Sequence, residues 1–189
     1  FVNALPEGIC DEIVKIGLSQ QKNKALVDGI KDKTNKNLTK LRDSDVVWLD
    51  DVWLRNLIWS FVNDANINAD WNFVYNNPEA GQFTIYDKNQ HYDWHQDLSF
   101  DKNQKGQPQN SQRKLSATIQ LTDEKEYKGG ELLLSTTTGK NKNKILTNKL
   151  FKKKGTIVVF PSYTFHKVTP VTQGVRYSLV MWFRGPSFQ

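Results

Sequence analysis

The sequence predicts an α+β fold in which a helical N-terminal third supports an antiparallel barrel or sandwich of short strands. Three observations predict it. Apolar residues recur at helical spacing in the first third, as Ile9, Ile13 and Ile16 and again as Leu54, Leu57, Ile58, Phe61 and Val62. From residue 70 the period changes to two, with Trp71, Phe73 and Tyr75 alternating with Asn72, Val74 and Asn76. After that, short apolar runs are separated by Gly, Pro and Asn turn signals. A chain of 189 residues is expected to form one domain, 1–189, with 1–70 mainly helical support and 71–189 the β core.

The elements follow in order. Leu5-Pro6-Glu7 opens the first helix, which should end near Gln20; Pro6 suits a first-turn position. Residues 21–45 are polar and read as a loop with a short strand or two. Val46-Val47-Trp48-Leu49 reads as a strand. Asp50 or Asp51 should cap a second helix over 51–66, with Trp53, Leu54, Leu57, Ile58, Phe61 and Val62 as a wide apolar face in the core. Residues 76–81 form a turn and 82–86 a strand. Residues 99–112 lack any apolar period and read as a mobile loop, in a position where substrate lids occur. Further strands are expected over 113–122, 131–135, 155–160, 165–168 and 176–183, with turns at 123–130 and at Pro161-Ser162.

The net charge of +6 is unevenly spread. Residues 140–154 hold seven lysines and no acid (140, 142, 144, 149, 152, 153 and 154), and the rest of the chain is close to neutral. The segment reads first as a solvated loop, and otherwise as a contact for an acidic partner. Nucleic acid is not favoured, because no aromatic-interleaved stacking pattern accompanies the lysines. Mean hydropathy is −0.63 and no long apolar run exists, so no membrane span is expected. No secretory signal is legible, and a start at Phe1 leaves room for a removed leader. The single Cys10 cannot form an internal disulfide; it fits a reducing, cytoplasmic setting and reads as a plain buried thiol.

The chemistry is concentrated in His95-Gln96-Asp97, His166 and Arg176. Two histidines and a carboxylate on one face of a metal leave open positions, the arrangement that suits non-haem Fe(II). His95 and Asp97 are two apart, so on a strand both point to one side. His91 shares that parity but lies about 13 Å away along a strand, too far for the same metal, and reads as a rim residue. His166 must come from another strand. Arg176 offers a planar fork for a carboxylate, and a buried arginine needs an anion.

Several further motifs stand in order: Tyr86 ahead of His95-Gln96-Asp97; the run from Arg113 to Thr122; Gly129-Gly130-Glu131-Leu132; Gly155 to Phe160; His166-Lys167-Val168; and Gly174 to Phe183. Over 82–183 the chain resembles the catalytic core of Fe(II)/2-oxoglutarate dioxygenases, in the prolyl 4-hydroxylase-like branch. The resemblance implies a double-stranded β-helix, or jelly roll, buttressed by the N-terminal helices. It implies that His95, Asp97 and His166 bind Fe(II) and form the catalytic centre. Arg176 would pair with the distal carboxylate of 2-oxoglutarate, Tyr86 would donate to the same co-substrate, and Ser178, Thr118 and Trp182 would line the site. Gln120 stands where many relatives carry Tyr, so the resemblance does not carry over a co-substrate hydrogen bond from that position. The implied co-substrates are 2-oxoglutarate and O2, with ascorbate as an accessory. The implied reaction is hydroxylation of an unactivated C–H in a protein or peptide, proline first. The alternatives are hydroxylation of a free amino acid or other small molecule, and a jelly-roll binding module without catalysis. Tyr92, Trp94 and Arg184 are candidates near the mouth.

Overall fold

A computed structural model describes residues 1–25, 40–98, 111–135 and 145–188, and among these the following helices and strands are laid out in order. Helix α1 (Glu7–Ser19) follows Pro6 and buries Cys10, Ile13 and Gly17. Strands β1 (Asn23–Lys24), β2 (Arg42–Asp43) and β3 (Asp45–Leu49) lead to helix α2 (Val52–Asn68). Next come β4 (Asn77–Pro78), β5 (Gly81–Tyr86) and β6 (His91–His95). The central strand β7 (Ser111–Gln120) is followed by β8 (Lys128–Gly129), β9 (Leu132–Ser135) and β10 (Ile145–Leu146). A 3-10 turn (Lys149–Lys152) precedes β11 (Ile157–Pro161), β12 (His166–Val168), β13 (Val171–Gln173) and β14 (Arg176–Pro186).

The strands form a jelly roll of antiparallel sheets. The larger sheet runs β1-β3-β5-β14-β7-β11, with β4 also on β14; the smaller runs β10-β9-β12-β6-β2; and β13 pairs with β8. Both helices lie on the outer face of the larger sheet. Their Cys10, Ile13, Leu54, Ile58 and Val62 join Phe83, Leu115, Ile119, Leu179 and Phe183 in one apolar cluster. Helix α1 comes so close to β5 that a Cβ at Gly17 would land on the Phe83 ring. Between the sheets lies a second, smaller cluster of Tyr86, Leu132, Leu134, Phe160, Val168 and Val171. Because side chains alternate along a strand, β5, β7 and β14 turn Phe83, Ala117 and Leu179 to the helices and Thr84, Thr118 and Ser178 to the interior.

Several expectations change on contact with the tertiary structure. Residues 71–76 do alternate between half-buried and exposed, but they form no ladder, and only β4 pairs with β14. Asp70 and Asn72 adopt positive φ (54° and 52°), which breaks the extended run. Trp53 is 41% exposed rather than core: it sits in the first turn of α2, whose buried side chains are Leu54, Ile58, Val62 and Asn66. Asp51 occupies the N-cap position without a side-chain capping bond, and Asp50 instead accepts from Arg55 at 2.7 Å. Residues 111 and 112, placed in the loop by sequence, belong to β7, whose pairing with β14 runs out to Pro186. The remainder of that loop, 99–110, lies outside the described residues, as do Lys140, Lys142 and Lys144. Residues 1–70 supply three strands as well as helices, and those strands join both sheets. No described helix is long and apolar enough to cross a membrane.

Candidate active site

Strands β6 and β12 are neighbours in the smaller sheet, and His95 and His166 are direct cross-strand partners. That pairing brings together two residues 71 positions apart, and their ring centroids are 4.1 Å from each other. Asp97 lies just beyond the end of β6, not on the strand as the two-residue spacing predicted. There its backbone N–H donates to Ser162 O at 2.9 Å, which turns the chain while keeping the carboxylate inward. Asp97 Oδ1 is 3.6 Å from His95 Nε2, and Asp97 Oδ2 is 3.5 Å from His166 Nε2. The three ligand atoms lie within 4.8 Å of one another and could hold a metal ion.

The surroundings prepare these three groups as ligands. His95 Nδ1 meets Asp93 O at 2.7 Å and His166 Nδ1 meets Thr164 O at 2.9 Å. A carbonyl can only accept, so each Nδ1 donates, and each Nε2 is the nitrogen turned toward Asp97. Burial and the neighbouring His166 take the His95 imidazole down to about 3, so it is neutral at ordinary pH. Burial alone would raise the Asp97 carboxyl; His166, His95 and Arg113 outweigh it and hold it at about 2. Ser116 Oγ donates to Asp97 Oδ2 at 2.7 Å and shares a 3.0 Å hydrogen bond with Ser162 Oγ. Two imidazoles and one ionised carboxylate are the donor set that a divalent iron takes.

A second polar centre sits deeper in the barrel. Arg176, at the start of β14, is 3% exposed. Its Nε donates to Gln120 Oε1 at 3.0 Å, its Nη1 donates to Ser178 Oγ at 3.4 Å, and the guanidinium lies 5.4 Å from the Tyr86 ring centroid. All of these partners are neutral, and no described carboxylate forms an ion pair with it. A buried guanidinium without an anion is costly, so the pocket fits a ligand that carries one. Tyr86 is buried between the two centres: burial raises its phenol, Arg42 and Arg176 act to lower it, and Asp97 acts to raise it. Thr118 and Ser178 face the same interior. The donor set and the unpaired arginine together fit an iron and a dicarboxylic 2-oxo acid.

The remaining sequence candidates divide. Trp182 is buried, and its indole N–H is directed at the Asp97 carboxylate, where it acts with the histidines to keep that carboxyl ionised. Arg113 packs over the same indole at 3.9 Å. Tyr92 stacks on His95 with Arg42 above it at 4.5 Å, so it braces a ligand rather than standing at the mouth. Trp94 packs near Lys167. Arg184 is not at the mouth: it is 1% exposed and is held by Glu79 and Ser111. His91 binds Lys40 O and Asn89 O and stays apart from the ligands, as its distance along the strand predicted. Sequence reasoning missed Ser116, Tyr127, Arg42 and Trp48. Ser116 was findable, since it shares strand parity with Thr118. Trp48 shares the face of Gln82, is 49% exposed, and lies 6.1 Å from Trp182, which marks the open side of the barrel. Arg42 and Tyr127 arrive from short or irregular segments with no periodic signal.

Comparison with known proteins agrees with this geometry. A family described as the 2OG-Fe(II) oxygenase superfamily matches residues 81–184. The PKHD-type hydroxylase YbiX of Escherichia coli is 36% identical over 104 residues, covering 54% of this chain and 41% of that protein. The chain thus matches well under two thirds of the length of this curated relative. Among solved structures, a Pseudomonas putida prolyl-4-hydroxylase superposes with a TM-score of 0.70 at 19% identity, over 98% of this chain and 91% of that one. A Trichoplax adhaerens prolyl hydroxylase, in complex with a hypoxia inducible factor oxygen degradation domain peptide fragment, gives 0.68 at 18% identity, over 97% and 81%. At these identities the structures speak for the shared fold. The family match covers more than half the chain and spans His95, Asp97, His166 and Arg176, and by it this chain belongs to the 2OG-Fe(II) oxygenase superfamily.

Proposed function

We propose that this chain is the catalytic unit of a hydroxylase that acts on a protein or peptide side chain, with proline the first substrate to test. Membership of the superfamily implies Fe(II), 2-oxoglutarate and O2. The observation that carries the reading is the pairing of two prepared centres in one barrel: a buried His-Asp-His cluster, and a buried arginine that pairs with no carboxylate among the described residues. His95 and His166 would hold Fe(II) through Nε2, and Asp97 through its carboxylate. Arg176 would bind the distal carboxylate of 2-oxoglutarate, with Tyr86 donating to the same molecule and Thr118 and Ser178 lining its seat. Bound there, the iron and co-substrates supply an oxidation in which one oxygen atom of O2 enters the C–H bond and the other enters succinate, with release of CO2. The protein's own part is positioning and exclusion of water. Phe160, 4.7 Å from the His166 ring, and Trp182 close the apolar side of the metal cluster. Trp48 stands at the open side, where a substrate side chain would enter.

A peptide substrate is supported by the Trichoplax neighbour, which holds one. The same proposal takes 1–189 as one unit, since a single apolar cluster joins α1 and α2 to the larger sheet. It also keeps a reducing, cytoplasmic setting, where burial pushes the Cys10 thiol up to about 11 and leaves it unreactive. An acidic partner at 140–154 has less support, because Lys152 and Lys154 already pair with Glu131 and Asp11.

The test is direct. Purified protein with Fe(II) and 2-oxoglutarate should form succinate, and mass spectrometry should find proline-rich peptides one oxygen atom heavier. Oxidation of free amino acids instead would move the substrate to the small-molecule class. Absence of both iron binding and succinate would sink the enzyme reading.

A further inference from the structure

We propose that the Tyr127 hydroxyl is a second donor to the distal carboxylate of the 2-oxo acid co-substrate, working beside Arg176. This rests on the reading of Arg176 as the anchor for that carboxylate. Tyr127 stands one residue before β8 and is 2% exposed; its buried Oη lies within hydrogen-bonding reach of the Arg176 guanidinium, which can only donate, and no described group accepts the phenol proton. A buried hydroxyl proton almost always finds an acceptor, so one without points to a group that arrives later.

The surroundings identify that group. A Cβ built at Gly130 would stand 3.0 Å from Arg176 Cδ and 3.2 Å from Tyr127 Cε2, so the arginine and the tyrosine ring flank one glycine. Gly130 adopts a φ of +60°, and its missing side chain is what lets the two approach. Lys152 Nζ stands 4.5 Å from the Tyr127 ring centroid and fixes the ring from another side. Gln120 turns its carbonyl oxygen to Arg176 Nε and its amide to Thr122 O at 2.9 Å. It therefore orients the guanidinium but presents an oxygen, not a donor, on that side. Tyr127 brings the missing donor from a different element. Burial holds its phenol above the ordinary range despite Arg176, so it is protonated at neutral pH and can donate.

The experiment is calorimetric titration of Mn(II)-loaded wild type and Tyr127→Phe with 2-oxoglutarate and with 2-oxopentanoate. The second acid keeps the chelating end and carries a methyl group in place of the distal carboxylate. Tyr127→Phe should weaken 2-oxoglutarate about tenfold, the loss of one hydrogen bond to a charged group, and leave 2-oxopentanoate unchanged. The melting temperature of the metal-free variant should rise by roughly a few degrees, because an unsatisfied buried hydroxyl is gone. Unchanged 2-oxoglutarate affinity overturns the inference and leaves the Arg176 reading standing. A lower melting temperature with equal losses for both acids also overturns it, since that marks a structural tyrosine. If wild type fails to prefer 2-oxoglutarate over 2-oxopentanoate, the Arg176 reading falls and this inference falls with it.

Discussion

Strands β5, β7 and β14 have two buried faces of opposite chemistry. Toward the helices they present Phe83, Leu115, Ala117, Ile119, Leu179, Met181 and Phe183, all with no exposed surface. Toward the interior they present Gln82, Thr84, Tyr86, Ser116, Thr118, Gln120, Arg176, Ser178 and Trp182, nearly as inaccessible. The apolar face stabilises the fold, at about 1.5–3 kcal/mol for each large side chain fully buried. The polar face contributes less, since each of its groups must recover the hydration it lost. One has not: among the described residues Arg176 has only neutral partners. The difference teaches where function is stored. One face is complete in the protein alone, and the other is completed by what binds.

The sharpest break in this comparison is His166→Ala. It should abolish Fe(II) binding and succinate formation, yet leave the circular dichroism spectrum and melting curve close to wild type. Collapse of the fold would instead place His166 in the structural layer. Next is Glu79→Gln, at the junction of the two faces. Glu79 accepts from Arg113 at 2.6 and 2.7 Å and from Arg184 at 2.9 Å. Removing its charge takes from two buried guanidinium groups the carboxylate they share, a loss of about 3–5 kcal/mol. Burial would raise the Glu79 carboxyl, but the two arginines pull it below the ordinary glutamate range. Its contribution is therefore complete above the unfolded carboxyl's pKa and is lost as pH falls through the lower folded value. Denaturation midpoints taken from neutral to acid pH should fall less steeply in Glu79→Gln than in wild type.

A purely apolar lesion should do the reverse of His166→Ala. Ile58→Ala, in α2, should cost about 2–5 kcal/mol by urea denaturation while the surviving folded fraction keeps its affinity for Fe(II). The smallest expected effect belongs to Ser116→Ala, which removes the hydroxyl that fixes Asp97 Oδ2. Metal affinity should fall about 10–100-fold with little change in stability, measured by competition with a chelator. Parallel losses of stability and metal affinity in Ile58→Ala would show that the two faces are not separable.

Much of this was legible in the residues. The alternation in 113–122 and 176–183 marks which side chains face inward, and the structure follows it along both strands. His95, Asp97, His166 and Arg176 were singled out by type and spacing, and the fold brings the first three to one point. Illegible parts share a cause. The run at 71–76 has a strand's alternation without a partner, because pairing depends on what lies beside it. Trp53 has a core residue's chemistry but stands exposed in the first turn of α2. Arg184 reads as a surface or mouth cation until Glu79 and Ser111 enclose it.

The sequence by itself singled out the candidate ligands and the candidate anion-binding arginine, through side-chain chemistry and a family resemblance, and the face on which each strand residue lies, through a period of two. Only the tertiary structure decided that Asp97 reaches the metal cluster from beyond its strand, that Arg42 braces Tyr92 over His95, and that Tyr127 stands beside Arg176. These contacts join segments far apart in the chain and carry no local pattern. Their geometry exists only once the two sheets have closed on each other.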